Sequence, residues 1–575
     1  MPDRGRNMAP EENWNSLPGM MLSLARKWPE RPMLRFWRGG SWQRMSWAEY
    51  AMAVASVAAG LRQRGVCPGD RVLLVSENRP EFIIADTAIM AIGAVSVPTY
   101  ITNTVADHAH ILKDSGARAA IASTPKLARG LAEAAGLGGL DLLVAMDEAE
   151  DTVSWADLLA TPPDLAMLVA EVEHIPPGRL ACLIYTSGTG GSPKGVMLPH
   201  RAMLANRRGV AAFIHALKLP DDGCYLSFLP LSHAYEHTVG GFLLPSFGTE
   251  VVYSRGAEKL AAELQQIRPV VVTAVPRLFE VLRARILAGL EKESAFKRRM
   301  FDAAVRLGLK RLDGQTLSLW EQVQDAVLER LVRDKVRARF GGRLHAFVSG
   351  GARLDPDLSG FFIALGIPLI QGYGQTEAGP VISVNVPWDN RRHTVGRVLD
   401  GVEVSIAPDG EVLVRGELVM DGYWNNPDAT AAAVVDRGDG GPPWLHTGDV
   451  GEINQGFLRI TDRKRDIIKT LGGDMVSPAR IESMLMAEPE IAQAVVAGDG
   501  RPGIAALIVA AEGQEDNVPK AVARVNARLS SIERVRHTLK VPPFTPEAGM
   551  LTPTLKIKRK AVLQAHEEAI NRLYG

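Results

Sequence analysis

Four short apolar runs in the middle of the chain each stop at a loop carrying glycine or proline. They are Leu183-Ile-Tyr185 before TSGTGG, Val270 to Val275 before PRL, Ala346-Phe-Val-Ser349 before GGA, and Ile367 to Gln371 before GYG. Apolar runs of this length bounded by turn residues read as buried strands. Upstream, the Ala-rich stretch Trp47 to Gly65 has helical spacing, and RVLLV (Arg71–Val75) and AAIA (Ala119–Ala122) are further strand-like runs. Strands alternating with helices predict a layered α/β fold around a parallel sheet. Such sheets bind ligands in the loops at the C-terminal ends of their strands, so these four loops are the first places to look for a site.

With 575 residues, 46% of them hydrophobic, the chain has material for several packing units of roughly 100–200 residues each. Lys plus Arg equals Asp plus Glu at 65 each, so the cationic excess that gives general nucleic-acid affinity is missing and no nucleic-acid partner is expected. Cys67, Cys182 and Cys224 lie far apart without CxxC spacing, which fits a reducing cytosol. The N-terminus has no apolar core of the kind a secretory signal needs. Phe82 to Pro98, the most apolar stretch, is interrupted by Asp86 and reads as a buried helix running into a strand. The expectation is a cytoplasmic protein, peripheral at most on the inner face of a membrane. Between Val281 and Arg343 a long helical region carries 15 Lys/Arg against 8 Asp/Glu, with Leu, Val, Phe and Trp320 interspersed. That pattern fits a solvated helical face or a contact with anionic membrane.

Past Gly401 the texture turns to short strands and turns (GVEVSI, GEVLVRG, GFLRI). Beyond DRKRDIIK, Ser477 is a candidate N-cap with Pro478 at the first helical position and Glu482 in the first turns. Strands at Ile491 to Val496 and Ile504 to Ala510, and a helix from Asn517 into the 530s, complete a compact α+β unit. The chain thus divides into a large N-terminal domain, residues 1–463, built of layered α/β subdomains and a β-rich one, and a small α+β domain, 464–575.

The most informative local motif is Tyr185-Thr-Ser-Gly-Thr-Gly-Gly-Ser-Pro-Lys-Gly195. Glycines let backbone N–H groups approach an anion closely, hydroxyls add donors, and Lys194 adds mobile positive charge, which together describe a phosphate-binding loop. It is not a Walker A loop: counted from Gly188, Pro193 and Gly195 stand where Gly and Ser or Thr would be required. His233-Ala-Tyr-Glu-His237 fits the H-x-x-E-H zinc pattern, but its flanks, Leu229-Pro-Leu-Ser and Thr238-Val-Gly-Gly, are poor material for a long zinc-site helix.

The phosphate loop resembles that of the adenylate-forming (AMP-binding) superfamily, which includes acyl-CoA synthetases, luciferases and peptide-synthetase adenylation domains. Gly190 stands where that family usually has Thr, which removes one hydroxyl. Further matches follow in the family's order. The resemblance implies an ATP site made of Thr186, Ser187, Gly188, Thr189, Gly190, Gly191 and Lys194, with Gly350, Gly351 and Ala352 as the adenine-side turn. Gln371, Gly372, Tyr373 and Gly374 belong to the nucleotide loop, where Tyr373 would stack on adenine and Thr376 touch the α-phosphate. Glu377, with Thr186, would hold Mg²⁺. Asp449 in Trp444-Leu-His-Thr-Gly-Asp449 and Arg463 in Asp462-Arg-Lys-Arg-Asp466 would bind the ribose, with Arg465 at the hinge. His233 resembles the histidine lining the acyl site, leaving His237 structural. In Leu551-Thr-Pro-Thr-Leu-Lys-Ile-Lys-Arg-Lys560, Lys556 takes the place of the lysine that bridges carboxylate and α-phosphate.

Leu555 for the usual Gly, the paired Gly472-Gly473, and Pro98-Thr-Tyr-Ile-Thr-Asn-Thr104 are similar to the long-chain fatty acyl-CoA synthetase branch. The resemblance implies ATP-dependent ligation of a long-chain fatty acid to CoA through an acyl-adenylate, with AMP and pyrophosphate released. Gly472 and Gly473 would line the access path for CoA after rotation about Arg465. Open alternatives are a fatty acyl-AMP ligase that loads a carrier protein, a synthetase for another carboxylic acid, and a catalytically silent binding protein.

Overall fold

The computed structural model describes residues 13–136, 139–186, 193–472, 474–552 and 556–575. It shows a mixed α/β fold with a large N-terminal domain and a small C-terminal one. An eight-stranded sheet runs in the order Gly422–Tyr423, Lys194–Pro199, Leu180–Thr186, Val95–Thr99, Arg71–Val75, Ala119–Ala122, Leu142–Ala145, Val153–Ser154. It is parallel from Leu180–Thr186 onward, while its first two strands are antiparallel additions. The helices beside it are set by local chemistry. Ser46 and Glu49 form a reciprocal capping box that starts Trp47–Gln63, and Gly116, in the left-handed region, ends Val105–Ser115. Pro80–Ala91 is buried at every residue, including Glu81 and Asp86. Glu81 is paired with Arg38 and Arg79, and Asp86 with His237.

A fourteen-stranded sheet holds the other three glycine- or proline-ended runs side by side. Cys224–Ser227, Val271–Ala274, Ala346–Ser349 and Leu369–Gly374 are mutually parallel, so their loops open on one edge. From Leu369–Gly374 the sheet continues as an antiparallel array through Val381–Asn385, Gly396–Val398, Phe457–Arg463 and Trp444–Asn454. The basic region is three helices, Pro276–Glu291, Ala295–Leu312 and Leu319–Leu328, the last continued by further helical turns to Arg339. Among the described residues no helix is long and apolar enough to cross a membrane.

From Ile468 onward the chain builds cores of its own around the three-stranded sheet Ile491–Ala497, Ile504–Ala510, Val535–Lys540. Ser477 caps Pro478–Met486 by accepting from the Arg480 N–H. Two expectations fail here. The helix beginning at Val518 stops at Asn526 and does not reach the 530s, because the Asn526 amide bonds both the N–H and the C=O of Val535 and turns the chain into a strand. Glu482 does not serve the helix start either. Its carboxylate accepts from the Val496 N–H at 2.7 Å and pairs with Arg559.

Candidate active site

The phosphate-loop strand Leu180–Thr186 returns as the antiparallel strand Lys194–Pro199, with Thr186 and Lys194 in register. Strand–loop–strand geometry separates this loop from the P-loop, which runs into a helix. Ser187, Gly188, Thr189, Gly190 and Gly191 lie outside the described residues, but the two ends of the loop are defined. Lys194 Nζ sits 5.0 Å from the centre of the Tyr423 ring, and the Tyr423 hydroxyl donates to Glu377 Oε1 at 2.9 Å. Burial and the Glu377 carboxylate push the Tyr423 phenol well up, so it remains a donor. Tyr423 therefore links the lysine of one loop to the carboxylate of another, Glu377, which lies 46 residues before the tyrosine. Sequence reading passed over it. The available signal was Gly422-Tyr423-Trp424: a Cβ at Gly422, which has φ +139°, would lie 2.5 Å from Thr430, so only glycine fits before the tyrosine.

The nucleotide loop is positioned by close backbone approach. A Cβ at Gly374 would lie 1.8 Å from the Pro380 carbonyl oxygen, so glycine is required where the strand hands over to the turn Thr376–Ala378. Tyr373 in this strand donates its hydroxyl to Asp449 Oδ2 at 2.7 Å, and Asp449 Oδ1 accepts from Arg463 Nε at 3.1 Å. Asp449 and Arg463 face each other across neighbouring antiparallel strands. Burial raises the Asp449 carboxyl, and Arg463 and Tyr373 oppose that shift. Buried Glu411, also missed in the sequence, accepts from the Gly448 N–H and bonds His446 and Lys464, fixing the turn that presents Asp449.

Gly350 and Gly351 follow the strand Ala346–Ser349. A Cβ at Gly350 would lie 3.0 Å from the Tyr235 ring, and Gly351 has φ +79°. Lys556 lies against this turn: a Cβ on Gly351 would be 3.9 Å from its Nζ. Burial lowers the Lys556 ammonium to about 8; Arg463 pushes the same way, while Asp449 and Glu377 oppose it. His233 shares this region. Burial first, then Lys556, hold it down to about 3, so the imidazole is neutral. Its Nδ1 accepts from the Tyr235 N–H at 3.1 Å, which leaves the proton on Nε2.

The H-x-x-E-H segment is not a long helix. It is one turn, Ala234–Glu236, followed by a wider π-helical stretch, His237–Leu243. Glu236 accepts from Ser227 and Thr273 at 2.6 and 2.8 Å and from Tyr225, and His237 Nε2 bonds Asp86 at 3.0 Å. Those side chains are engaged with protein partners. Among the described residues no group of three or more His, Cys, Asp or Glu could hold a metal.

Chemical roles assigned to widely separated motifs thus converge: His233, Gly351, Glu377, Asp449, Arg463 and Lys556 lie within one electrostatic neighbourhood. Ala352 and Gly472 are exposed, Gln371, Gly372 and Thr376 are half-buried, Arg465 is exposed, and Gly473 lies outside the described residues. Lys556 is held on a tight hairpin. Thr552 N–H donates to the Lys556 carbonyl, Lys556 N–H to Thr552 Oγ1, and Lys558 N–H to the Met550 carbonyl. Arg559 closes the base of the hairpin through the Val496 carbonyl at 2.7 Å and Glu482. Arg559→Ala is expected to slow any step that depends on the Lys556 ammonium by about tenfold or more, through displacement of that lysine. Steady-state turnover of the variant checks this, and an unchanged rate would show that the hairpin holds without its clamp.

The family of AMP-binding enzymes matches residues 23–424, and the AMP-binding enzyme C-terminal domain matches residues 465–575. The long-chain-fatty-acid–CoA ligase FadD15 of Mycobacterium tuberculosis is 35% identical over 573 residues, covering 93% of this chain and 93% of that protein. The peroxisomal long chain acyl-CoA synthetase 6 of Arabidopsis thaliana is 29% identical, covering 93% of this chain and 82% of its own. The anthranilate CoA ligase AuaEII, solved with anthranoyl-AMP, superposes with a TM-score of 0.75 at 21% identity over 97% of this chain and 98% of its own, a likeness of fold. On the matched families and the extent of the FadD15 likeness, the chain belongs to the AMP-binding enzymes.

Proposed function

We propose that this protein ligates a long-chain fatty acid to CoA in an ATP-dependent reaction through an acyl-adenylate. A carboxylate oxygen attacks the α-phosphorus of ATP, the bond to the β-phosphate breaks, and pyrophosphate leaves. The CoA thiol then attacks the acyl carbon, the bond to AMP breaks, and the thiol proton is released. The observation that carries this reading is the meeting of Lys556, from the C-terminal domain, with the Gly350–Gly351 turn beside neutral His233. A cation there offsets repulsion between an incoming carboxylate and the α-phosphate. Tyr373, Asp449 and Arg463 bind the adenosine side, and Lys194 the outer phosphates.

Glu377, with the Thr186 hydroxyl, is the proposed Mg²⁺ ligand set. One carboxylate and one hydroxyl are hard oxygen donors, and they suit an ion that takes the rest of its shell from phosphates and water. When bound, the ion neutralises phosphate charge. We place the domain boundary at residue 463 and the hinge at Arg465; rotation there withdraws Lys556 and brings Gly472 and Gly473 toward the path of CoA.

The test is an acid panel from acetate to octadecanoate plus aryl acids, each with ATP and either CoA or carrier protein. Long-chain acyl-CoA is the expected product; transfer to carrier protein alone would make the enzyme an acyl-AMP ligase. In the same assay Lys194→Ala should raise the ATP requirement about tenfold or more while the fold and fatty-acid binding persist.

A further inference from the structure

We propose that the helix Leu319–Leu328 docks this protein on an anionic lipid bilayer through an exposed apolar ridge flanked by unpaired cations. The proposal extends the reading of the substrate as a long-chain fatty acid, which partitions into such a bilayer. At 100° per residue, Leu319, Val323, Val327 and Trp320 fall within about 100° of arc and about 12 Å of length, and Leu331 follows in the wider helical turn Glu329–Arg333. Leu319 is 82% exposed and Trp320 76%, and the other three are roughly half exposed or more. Single exposed apolar residues are ordinary, but a continuous row marks an interaction surface. The helix is held with this row outward, because Leu328 on the opposite side packs into the core cluster containing Phe301, Ala304 and Leu307.

The surrounding charge selects the partner. Several cations of this region are engaged: Arg306 and Lys310 with Glu321, Arg311 and Arg333 with Asp325, Arg337 with Glu329 and Asp334. Arg298, Arg299, Arg330, Lys335 and Arg339 are exposed and form no ion pair among the described residues. Exposed Phe296 stands beside the first two. Glu291 and Asp302 are the exposed carboxylates nearby without an ion pair among the described residues. A second copy of this chain laid on the ridge would set like charges against each other, whereas anionic headgroups over an apolar interior match both features. Tryptophan, with an apolar ring and a polar N–H, suits that boundary.

The experiment uses the full chain with vesicles of neutral phosphatidylcholine or of phosphatidylcholine mixed with phosphatidylglycerol. Wild type should sediment with the mixed vesicles and release as salt rises. Leu319→Asp combined with Trp320→Asp, and separately Arg298→Glu combined with Arg299→Glu, should each weaken that binding about tenfold or more. Both variants should keep normal turnover of a detergent-dispersed acid, which reports an intact fold. Vesicle addition should blue-shift the tryptophan emission of wild type, and Trp320→Phe should remove the shift. Vesicle binding undiminished by the double aspartate variant would overturn the proposal. So would a dimer in light scattering that this variant abolishes without any lipid binding. Sedimentation is read apart from turnover, so an inactive acid panel would overturn the ligase reading and leave this one standing on its own result.

Discussion

Lys556→Ala is expected to lose acyl-adenylate formation by roughly a hundred- to a thousandfold, the size expected when a preorganised charge contact is removed from a closed site. The same variant, given synthetic acyl-adenylate and CoA, should form thioester near the normal rate, because no carboxylate then has to approach the α-phosphate. Measuring the two half-reactions separately decides the matter: equal loss of both, with the fold intact, would refute the account in which Lys556 serves adenylation alone. The pH dependence follows from the same residue. Burial lowers its ammonium to about 8, so in free enzyme the required cation is lost as pH rises past that value. The kcat/KM for adenylation should therefore fall above about pH 8, and the limb in kcat should lie higher because bound ATP favours the charged lysine. The stability sign is opposite. Between about 8 and the ordinary lysine value the unfolded chain binds more protons than the native one, so the cost of burying the charge is full below 8 and is relieved as pH rises.

Glu236→Ala is expected to destabilise the fold by about 3–5 kcal/mol, since it leaves the hydroxyls of Tyr225, Ser227 and Thr273 buried without their shared acceptor and opens a cavity. Room for the carboxylate exists only because residue 240 is glycine: a Cβ there would lie 2.3 Å from Glu236 Oε1. Denaturant titration of the variant measures the loss, and Glu236→Gln, which keeps the volume and one acceptor, should cost much less. Burial raises the Glu236 carboxyl to about 7, against an ordinary value of 4.5. The native state then holds more protons than the unfolded one between those values, so this group makes stability fall as pH rises from 4.5 to 7. Glu236→Ala should flatten that slope. A chelator that unfolded the wild type as far as this substitution does would restore the zinc reading of H-x-x-E-H.

Much of the candidate site was legible before folding because the chemistry proposed for it is carried by contiguous residues. The glycines around Lys194 and the stretch Gln371–Glu377 hold their donors within a few residues of one another, and local backbone freedom is a property of residue type. The same holds for Ser477 and Pro478, whose capping is decided within one turn of helix. Strand–loop alternation likewise announced the parallel sheets, since burial on both faces demands short apolar runs.

What the sequence by itself determined was which residue types gather at the strand ends proposed to meet a phosphate, a ribose or a carboxylate, and that strands deliver them. Only the tertiary structure decided who touches whom. Tyr423 reaches Glu377 because Gly422–Tyr423 pairs with the strand that begins at Lys194. Glu482 became a clamp for Arg559 rather than a helix-start acid, across 77 residues. Asn526 ended a helix by gripping Val535. Leu319 and Trp320 face outward because Leu328 found a core to fill. Each of these depends on register and packing between distant segments, and neither residue type nor local spacing carries that information.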